Sequence, residues 1–239
     1  AHMYIIFSGL VSLGILFYLV FLEFTNLELF TRFLEKDHND GLIEHGTVLV
    51  LLLGIFAGLI GFIRYRNRLP YAVISYWFLG WSLALLFFAG EEISWGQWFF
   101  KWETPELMQE WNDQGETNLH NLGPVIGPLF DQIPRAIVEM LIITGCFWAI
   151  WRAWQRNVEH TKDAWQTWIC PSPVFIPSAL VLSFICFNKQ IYNLPFLSKE
   201  LFKSGELGEF YVALALSTYL LSFYMRIRSS KTNSFEVSA

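Results

Sequence analysis

Charge is what this sequence has least of. Only 15% of its 239 residues are Asp, Glu, Lys or Arg, against roughly 25% in an ordinary soluble domain. Hydrophobic residues make up 54% and aromatic residues 18%, and the mean hydropathy is +0.39. A soluble domain of this length has too little interior to hide that much apolar surface. The composition therefore disfavours a cytosolic enzyme and excludes a disordered, collagen-like or disulfide-stapled chain. Cysteine is scarce as well. Cys146, Cys170 and Cys186 are odd in number and lack Cys-x-x-Cys spacing, so neither a disulfide framework nor a zinc ribbon is supported. They read as small apolar residues of membrane spans. A Gly-rich phosphate loop with its lysine, a Gly-x-Ser-x-Gly motif and an internal repeat are all missing. Those absences argue against a nucleotide site, a serine nucleophile elbow and an inverted-repeat transporter.

What the sequence does have is long hydrophobic runs. A membrane-crossing helix needs about 20 mostly apolar residues. Six windows predict one: Tyr4–Phe24, Leu42–Ile63, Tyr71–Gly90, Ile133–Trp154, Pro173–Phe187 and Phe210–Met225. The fifth is short and carries Pro173 and Pro177, which predicts a kink or an earlier start. The fold class is therefore an all-α polytopic transmembrane bundle. A long, partly helical interfacial loop lies between spans three and four. Residues 1–3 read as a tag scar, 4–228 as one integral membrane domain and 229–239 as a short cytoplasmic tail. Gly54-x-x-x-Gly58 with Gly61 places small residues on one face of the second span, a pattern that reads as helix packing.

The charges sort by side. Nine of the sixteen basic residues (Arg64, Arg66, Arg68, Arg152, Arg156, Lys162, Arg226, Arg228 and Lys231) fall in alternate connections. A six-span chain with both termini cytoplasmic requires that alternation. Only Glu159, Asp163 and Glu236 of the 21 acids share those connections. The opposite face is strongly acidic, which argues against a nucleic-acid partner and favours cations, cationic groups or water chemistry. The expected location is a bacterial inner membrane, with the acidic cluster facing the periplasm. The bilayer is the expected partner, and a homo-oligomer is compatible with it.

The candidate chemistry lies on that acidic face. Gly90-Glu91-Glu92-Ile93-Ser94-Trp95-Gly96-Gln97 closes the third span. Ionisable residues at membrane depth are functional candidates. Neighbours on a helix point about 100° apart, so one glutamate can face the bundle while the other faces an adjoining element. Downstream, Thr104-Pro105-Glu106 predicts the start of a short helix over Pro105–Asn112, capped by the threonine hydroxyl. If Glu116–Asn121 is helical, Glu116 and His120 share a face and could bind one metal together. Asp37-His38-Asn39-Asp40-Gly41 reads as a turn, with Glu44 and His45 opening the second span. Glu139, a turn or two into the fourth span, is another candidate for the outer cavity, and Glu206 and Glu209 precede the sixth span at the same boundary. Glu209 reads as interfacial and His38 as a solvated loop residue. The candidate catalytic residues are Glu91, Glu92 and His120. The candidate ligands for a divalent metal are Glu92, Glu116, His120 and Glu44. Ser94, Trp95, Gln97, Asn118 and Asn121 are the candidate substrate contacts.

The strings Glu91-Glu92-Ile93-Ser94-Trp95-Gly96-Gln97 and Glu116-Thr117-Asn118-Leu119-His120-Asn121, with the Asp40-Gly41…Glu44 approach to the second span, resemble an uncharacterised family of bacterial polytopic membrane proteins. That resemblance implies the fold and brings no activity. A looser similarity is to CAAX-type glutamate intramembrane proteases, which pair a Glu-Glu with an arginine four residues on and with downstream histidines. Here Gly96 stands where that arginine would be, and Glu116 where the histidine motif has phenylalanine. Only Glu91, Glu92 and His120 correspond. The expected function is a hydrolase or transferase acting on a lipid or lipid-linked substrate near the outer leaflet, with a divalent metal as its cofactor. The alternatives are a non-catalytic scaffold or sensor subunit and a cation or proton transporter.

Overall fold

The computed structural model describes residues 2–34, 42–112, 115–119, 122–123, 127–155, 165–190 and 205–229. These residues are helical almost throughout. The elements are α1 (His2–Thr25), α2 (Leu27–Leu34), α3 (Leu42–Tyr65), α4 (Ala72–Glu92), α5 (Gln97–Phe100), α6 (Glu106–Gln109), α7 (Gly127–Phe130), α8 (Gln132–Trp154), α9 (Trp165–Ile169), α10 (Ile176–Gln190) and α11 (Gly205–Ser229). An isolated antiparallel bridge joins Asn112 and Leu122. The chain is an all-α polytopic helical bundle.

Five segments are long and apolar enough to cross a membrane: Met3–Thr25, Leu42–Arg68, Ala72–Glu92, Gly127–Trp154 and Gly205–Ser229. The remaining expected span, Pro173–Phe187, is apolar but shorter. It opens with a 3-10 turn at Pro173–Phe175, and α10 follows directly. Pro177 sits in the first turn of α10, where a missing N–H breaks no intrahelical bond. The outward faces are apolar: Phe7, Phe17 and Phe21 of α1, and Leu49, Leu53 and Phe56 of α3, are all exposed. Such faces are stable against lipid, where only the backbone must satisfy itself internally.

The centre of the bundle is α11. Leu207, Tyr211, Ala213 and Leu220 are fully buried there, and its most extensive contact is with α3, which also packs on α4. Apolar side chains gain little from leaving lipid for protein, so close approach and hydrogen bonds hold such helices together. Both are present. Tyr211 donates its hydroxyl to the Ser12 carbonyl of α1 at 2.6 Å. Tyr219 donates to the Ile169 carbonyl and accepts from the Trp77 indole at 2.8 Å. The small face of α3 is the tightest seam. A Cβ on Gly58 would lie 1.9 Å from the Ser82 hydroxyl of α4, and one on Gly54 would lie 2.9 Å from the Ser217 Cα of α11. Gly61 meets only ordinary contacts, 3.6 Å from Phe223. The packing role expected of this motif therefore rests on Gly54 and Gly58.

The two ends of the bundle differ in charge. At one end Arg226 of α11 donates to the carbonyls of Trp168 and Cys170, and Arg152 of α8 donates to that of Gln166. These bonds tie α9 and the turn after it beneath the bundle. Cys146, Cys170 and Cys186 form no disulfide. At the other end α3 begins, α4 stops, and α8 and α11 begin, and that end carries the acids.

The seam yields a prediction. Gly54→Leu and Gly58→Leu should each destabilise the detergent-solubilised protein by about 1–3 kcal/mol or more through overpacking. Gly80→Ala, with open space around it, should be neutral or slightly stabilising. Thermal melting of the three variants checks the ranking.

Candidate functional site

The carboxylate pair at the end of α4 is divided between two environments. After Glu92 the chain reverses through three successive residues in the left-handed region, Ser94, Trp95 and Gly96, at φ of 45°, 56° and 90°. Only glycine takes that conformation freely, so the two side-chain-bearing positions need outside support. Trp95 receives it from two sides. Its ring packs against the backbone of Gly90, where a Cβ would lie 2.9 Å from the indole, and edge-on to Phe87. Its Nε1–H donates to Glu91 at 2.7 Å. The second oxygen of Glu91 accepts the backbone N–H of Leu119 at 2.7 Å. Glu91 is thus a buried brace between α4 and the long loop.

Ser94 supports the same loop from its own side. Its hydroxyl donates to Glu116 at 2.7 Å, and the Asn118 amide donates to Glu116 at 2.6 Å and to the Ser94 oxygen at 3.1 Å. Asn112 donates its amide to both the backbone and side-chain oxygens of Asn118, and accepts the Glu116 N–H. Gln97 accepts the Thr117 N–H at 2.6 Å and donates to the Thr104 hydroxyl at 2.7 Å. Thr104 in turn donates to the Gly115 carbonyl. Its hydroxyl is therefore spent on the loop and does not cap a helix. α6 is correspondingly short, Glu106–Gln109, and is flanked by Pro105 with no side-chain cap. Glu116, Asn118, Ser94 and Asn112 are all buried. Residues 115–119 are non-helical, so the helix that would align Glu116 with residue 120 does not form over them. His120 and Asn121 lie outside the described residues, as do His38, Asp40 and Gly41.

Glu92 points the other way, into the bundle. One carboxylate oxygen from each of Glu92, Glu206 and Glu209 lies within 4.8 Å of the other two. Glu92 also feels the charges of Glu44 and Arg135. Arg135 is paired with Glu209 and lies 3.8 Å from Asp131, one turn earlier. The Gly205 carbonyl also accepts from Arg135 at 3.4 Å. A cavity of about 290 Å³ opens beneath this group, between α4, α8 and α11. Glu91, Glu92, Asp131, Arg135 and Glu209 line one part of it, and Trp81, Leu85, Phe88, Val138 and Leu216 are among the residues lining the rest.

No protein-family model, curated protein or solved structure matches this chain. Its site must be read from its own geometry. Of the residues the sequence singles out, Glu92 belongs to the cavity cluster, and Glu44 acts on it through its charge. Glu91 lines the cavity while bracing the loop. Ser94, Trp95, Gln97, Glu116 and Asn118 form the loop network, and Glu116 does not join Glu92. His45 is exposed on the first turn of α3.

Glu206 and Glu209 are residues that the sequence placed only at the boundary. The last hydrophobic run begins at Phe210, yet α11 begins at Gly205, which brings both glutamates onto the helix. An acid in a first turn is stabilised by the helix dipole, and that was the signal available. Arg135 was not singled out. Its spacing of four from Asp131, on a helix that opens at Gln132, was the corresponding hint.

The two glutamates should separate experimentally. Glu91→Ala removes a charged acceptor from part-buried donors and Glu116→Ala from buried ones, a loss of up to about 1.5–3 kcal/mol each. Both should speed hydrogen exchange and proteolysis within residues 94–119. Glu92→Gln should leave the protection of that loop unchanged.

Proposed function

We propose that this chain is a multi-pass membrane hydrolase or transferase that receives a lipid or lipid-linked substrate sideways from the bilayer and acts on it beside Glu92. One observation carries the reading: a single cavity joins a carboxylate cluster to an apolar chamber. A ligand that satisfies both parts is amphiphilic. Glu92 is the general base of this reading, because both Glu91 oxygens are already held by Trp95 and Leu119. Three carboxylates this close repel one another strongly, and the Arg135 guanidinium offsets only part of that charge. A divalent cation at Glu92, Glu206 and Glu209 would offset more and would activate a bound water. Oxygen-only donors suit a hard ion such as Mg²⁺ or Ca²⁺ better than zinc. This ligand set replaces one built on Glu116, whose oxygen accepts from Ser94 and Asn118.

The same proposal includes orientation. The basic connections put both termini in the cytoplasm and the acidic end on the periplasmic side of a bacterial inner membrane. Membership of the bacterial family that carries the Glu91–Gln97 and Glu116–Asn121 strings belongs to it too. Trp102, Trp111 and Phe100 are exposed on the acidic end, as residues resting in the headgroup layer would be. A conduction path is less well supported, because the chamber below Glu92 is walled by apolar side chains.

The test incubates the purified protein with a total bacterial lipid extract, with Mg²⁺, with Ca²⁺ or with chelator, and follows lipid masses. Wild type should convert one lipid class. Glu92→Gln should lower the rate by about 10²–10⁴-fold, the usual worth of a general base. Equal conversion by Glu92→Gln, or none by wild type under any of the three conditions, would sink the reading. Mass-spectrometric metal content of wild type, Glu92→Gln and Glu209→Gln then decides the ion. Near-stoichiometric metal lost in both variants is the expected result.

A further inference from the structure

The end of the bundle opposite Glu92 is basic, and one residue type carries its charge. Every basic residue described there is an arginine: Arg64, Arg66, Arg68, Arg152, Arg226 and Arg228. No Asp or Glu among the described residues lies at that end. The segments 156–164 and 230–239 lie outside the described residues, and by sequence they add three bases and three acids. Those charges cancel, so the excess set by the six arginines stands.

Two of the six are spent inside the protein. Arg152 and Arg226 donate to the carbonyls of Gln166, Trp168 and Cys170. The other four are exposed. Arg64 stands in the last turn of α3, and Arg66 and Arg68 in the 3-10 turn that follows. Arg66 lies over the Phe62 ring at 5.4 Å and Arg68 over the Tyr65 ring at 5.3 Å. An aromatic face holds a guanidinium without cancelling its charge. No carboxylate among the described residues pairs with either. The Ser75 hydroxyl of α4 donates to the Arg66 carbonyl at 3.1 Å and pins the turn. Tyr65 also packs on Tyr224 of α11 at 6.2 Å. Arg228 follows Tyr224 one turn later on the same face, which gathers it with the turn.

The depth of this group follows from its neighbours. The turn joins two membrane-length segments, Leu42–Arg68 and Ala72–Glu92. Tyr71 and Tyr76 beside it are exposed, as in an interfacial aromatic belt. Lipid phosphates lie at that level. Positive charge alone would be served equally by lysine. Yet five of the seven lysines (Lys36, Lys101, Lys189, Lys199 and Lys203) lie by sequence on the acidic side. What arginine adds is a planar fork that grips a phosphate through two N–H groups at once.

We propose that the Arg64–Arg68 turn, with Arg228, binds the phosphate of an anionic phospholipid in the leaflet it faces. That lipid is a bound partner at the far end from Glu92, whatever reaction occurs there.

The experiment is native mass spectrometry of the whole protein in micelles doped equally with phosphatidylglycerol and phosphatidylethanolamine of identical chains. The glycerol adduct should exceed the ethanolamine adduct by about fivefold or more, the worth of one arginine at an anionic surface. The triple variant Arg64→Gln, Arg66→Gln, Arg68→Gln should abolish that preference, and Arg228→Gln alone should weaken it. The matching lysine triple keeps the charge and loses the fork, so it should fall between wild type and the glutamine triple. Arg32→Gln removes an exposed arginine already paired with Glu28 at the acidic end and should change nothing. All the substituted side chains are exposed, and melting curves identify any variant that fails to fold. No preference in wild type, or an unchanged preference in either the folded glutamine triple or Arg228→Gln, overturns the proposal. A lysine triple equal to wild type also overturns it, because charge without the fork would then suffice.

Discussion

Adjacent residues on a helix point about 100° apart, and at the end of α4 that angle divides the labour of the site. Glu91 turns toward the loop and Glu92 toward the bundle. Neither direction is optional for a carboxylate near the end of an apolar span, because an ionised group without partners there costs several kcal/mol. Glu91 finds an indole N–H and a backbone N–H. Glu92 finds a cluster that includes the ion-paired Arg135 and Glu209. The left-handed reversal at Ser94–Gly96 is what brings the two solutions together. It carries Trp95 back over Gly90, and it places Ser94 where Glu116 can accept its hydroxyl.

The loop network follows from that division. A connection of this length ordinarily floats, since it buries little apolar surface. Here buried polar side chains bond to one another and to the backbone in a closed set. Glu116 gathers Ser94 and Asn118, Asn112 holds Asn118, and Gln97 holds Thr117 and Thr104. Such a set resists movement when every member is satisfied. Its effect is to fix the roof over the end of α4, and so the direction in which Glu92 points.

Much of the fold was legible because length and hydropathy alone decide it. The runs that end at Phe24, Gly90 and Trp154 became helices almost at those boundaries. The small-residue face of α3 was legible too, since only close approach rewards Gly54 and Gly58. The site was half legible. Glu91-Glu92 stood out as charge where charge is costly, and the 100° argument anticipated their separation. It could not say which residue turned which way, because that depends on the backbone reversal at Ser94 and Trp95, two residue types that rarely adopt positive φ. The partners of Glu92 were hidden for a different reason. Hydropathy windows start where apolar residues start, and α11 starts five residues sooner. Glu206 and Glu209 therefore read as boundary residues ahead of the span. Glu116 misled in the opposite sense: its spacing to residue 120 suits a helix, and the hydrogen bonds to Ser94 and Asn118 hold it in an irregular turn instead.

The arrangement at the acidic end sets a limit on what can lie beside it. Glu92, Glu206 and Glu209 each bring a carboxylate oxygen within 4.8 Å of the others, and Arg135 is paired with Glu209, at the end of a bundle whose outward faces are apolar. Water alone screens such a group poorly once low-dielectric walls close around it. The same cavity runs on between the apolar side chains of Trp81, Leu85, Phe88, Val138 and Leu216. Charge and hydrocarbon therefore share one wall of α4, and Glu92 is the member of the glutamate pair that the loop network leaves facing both.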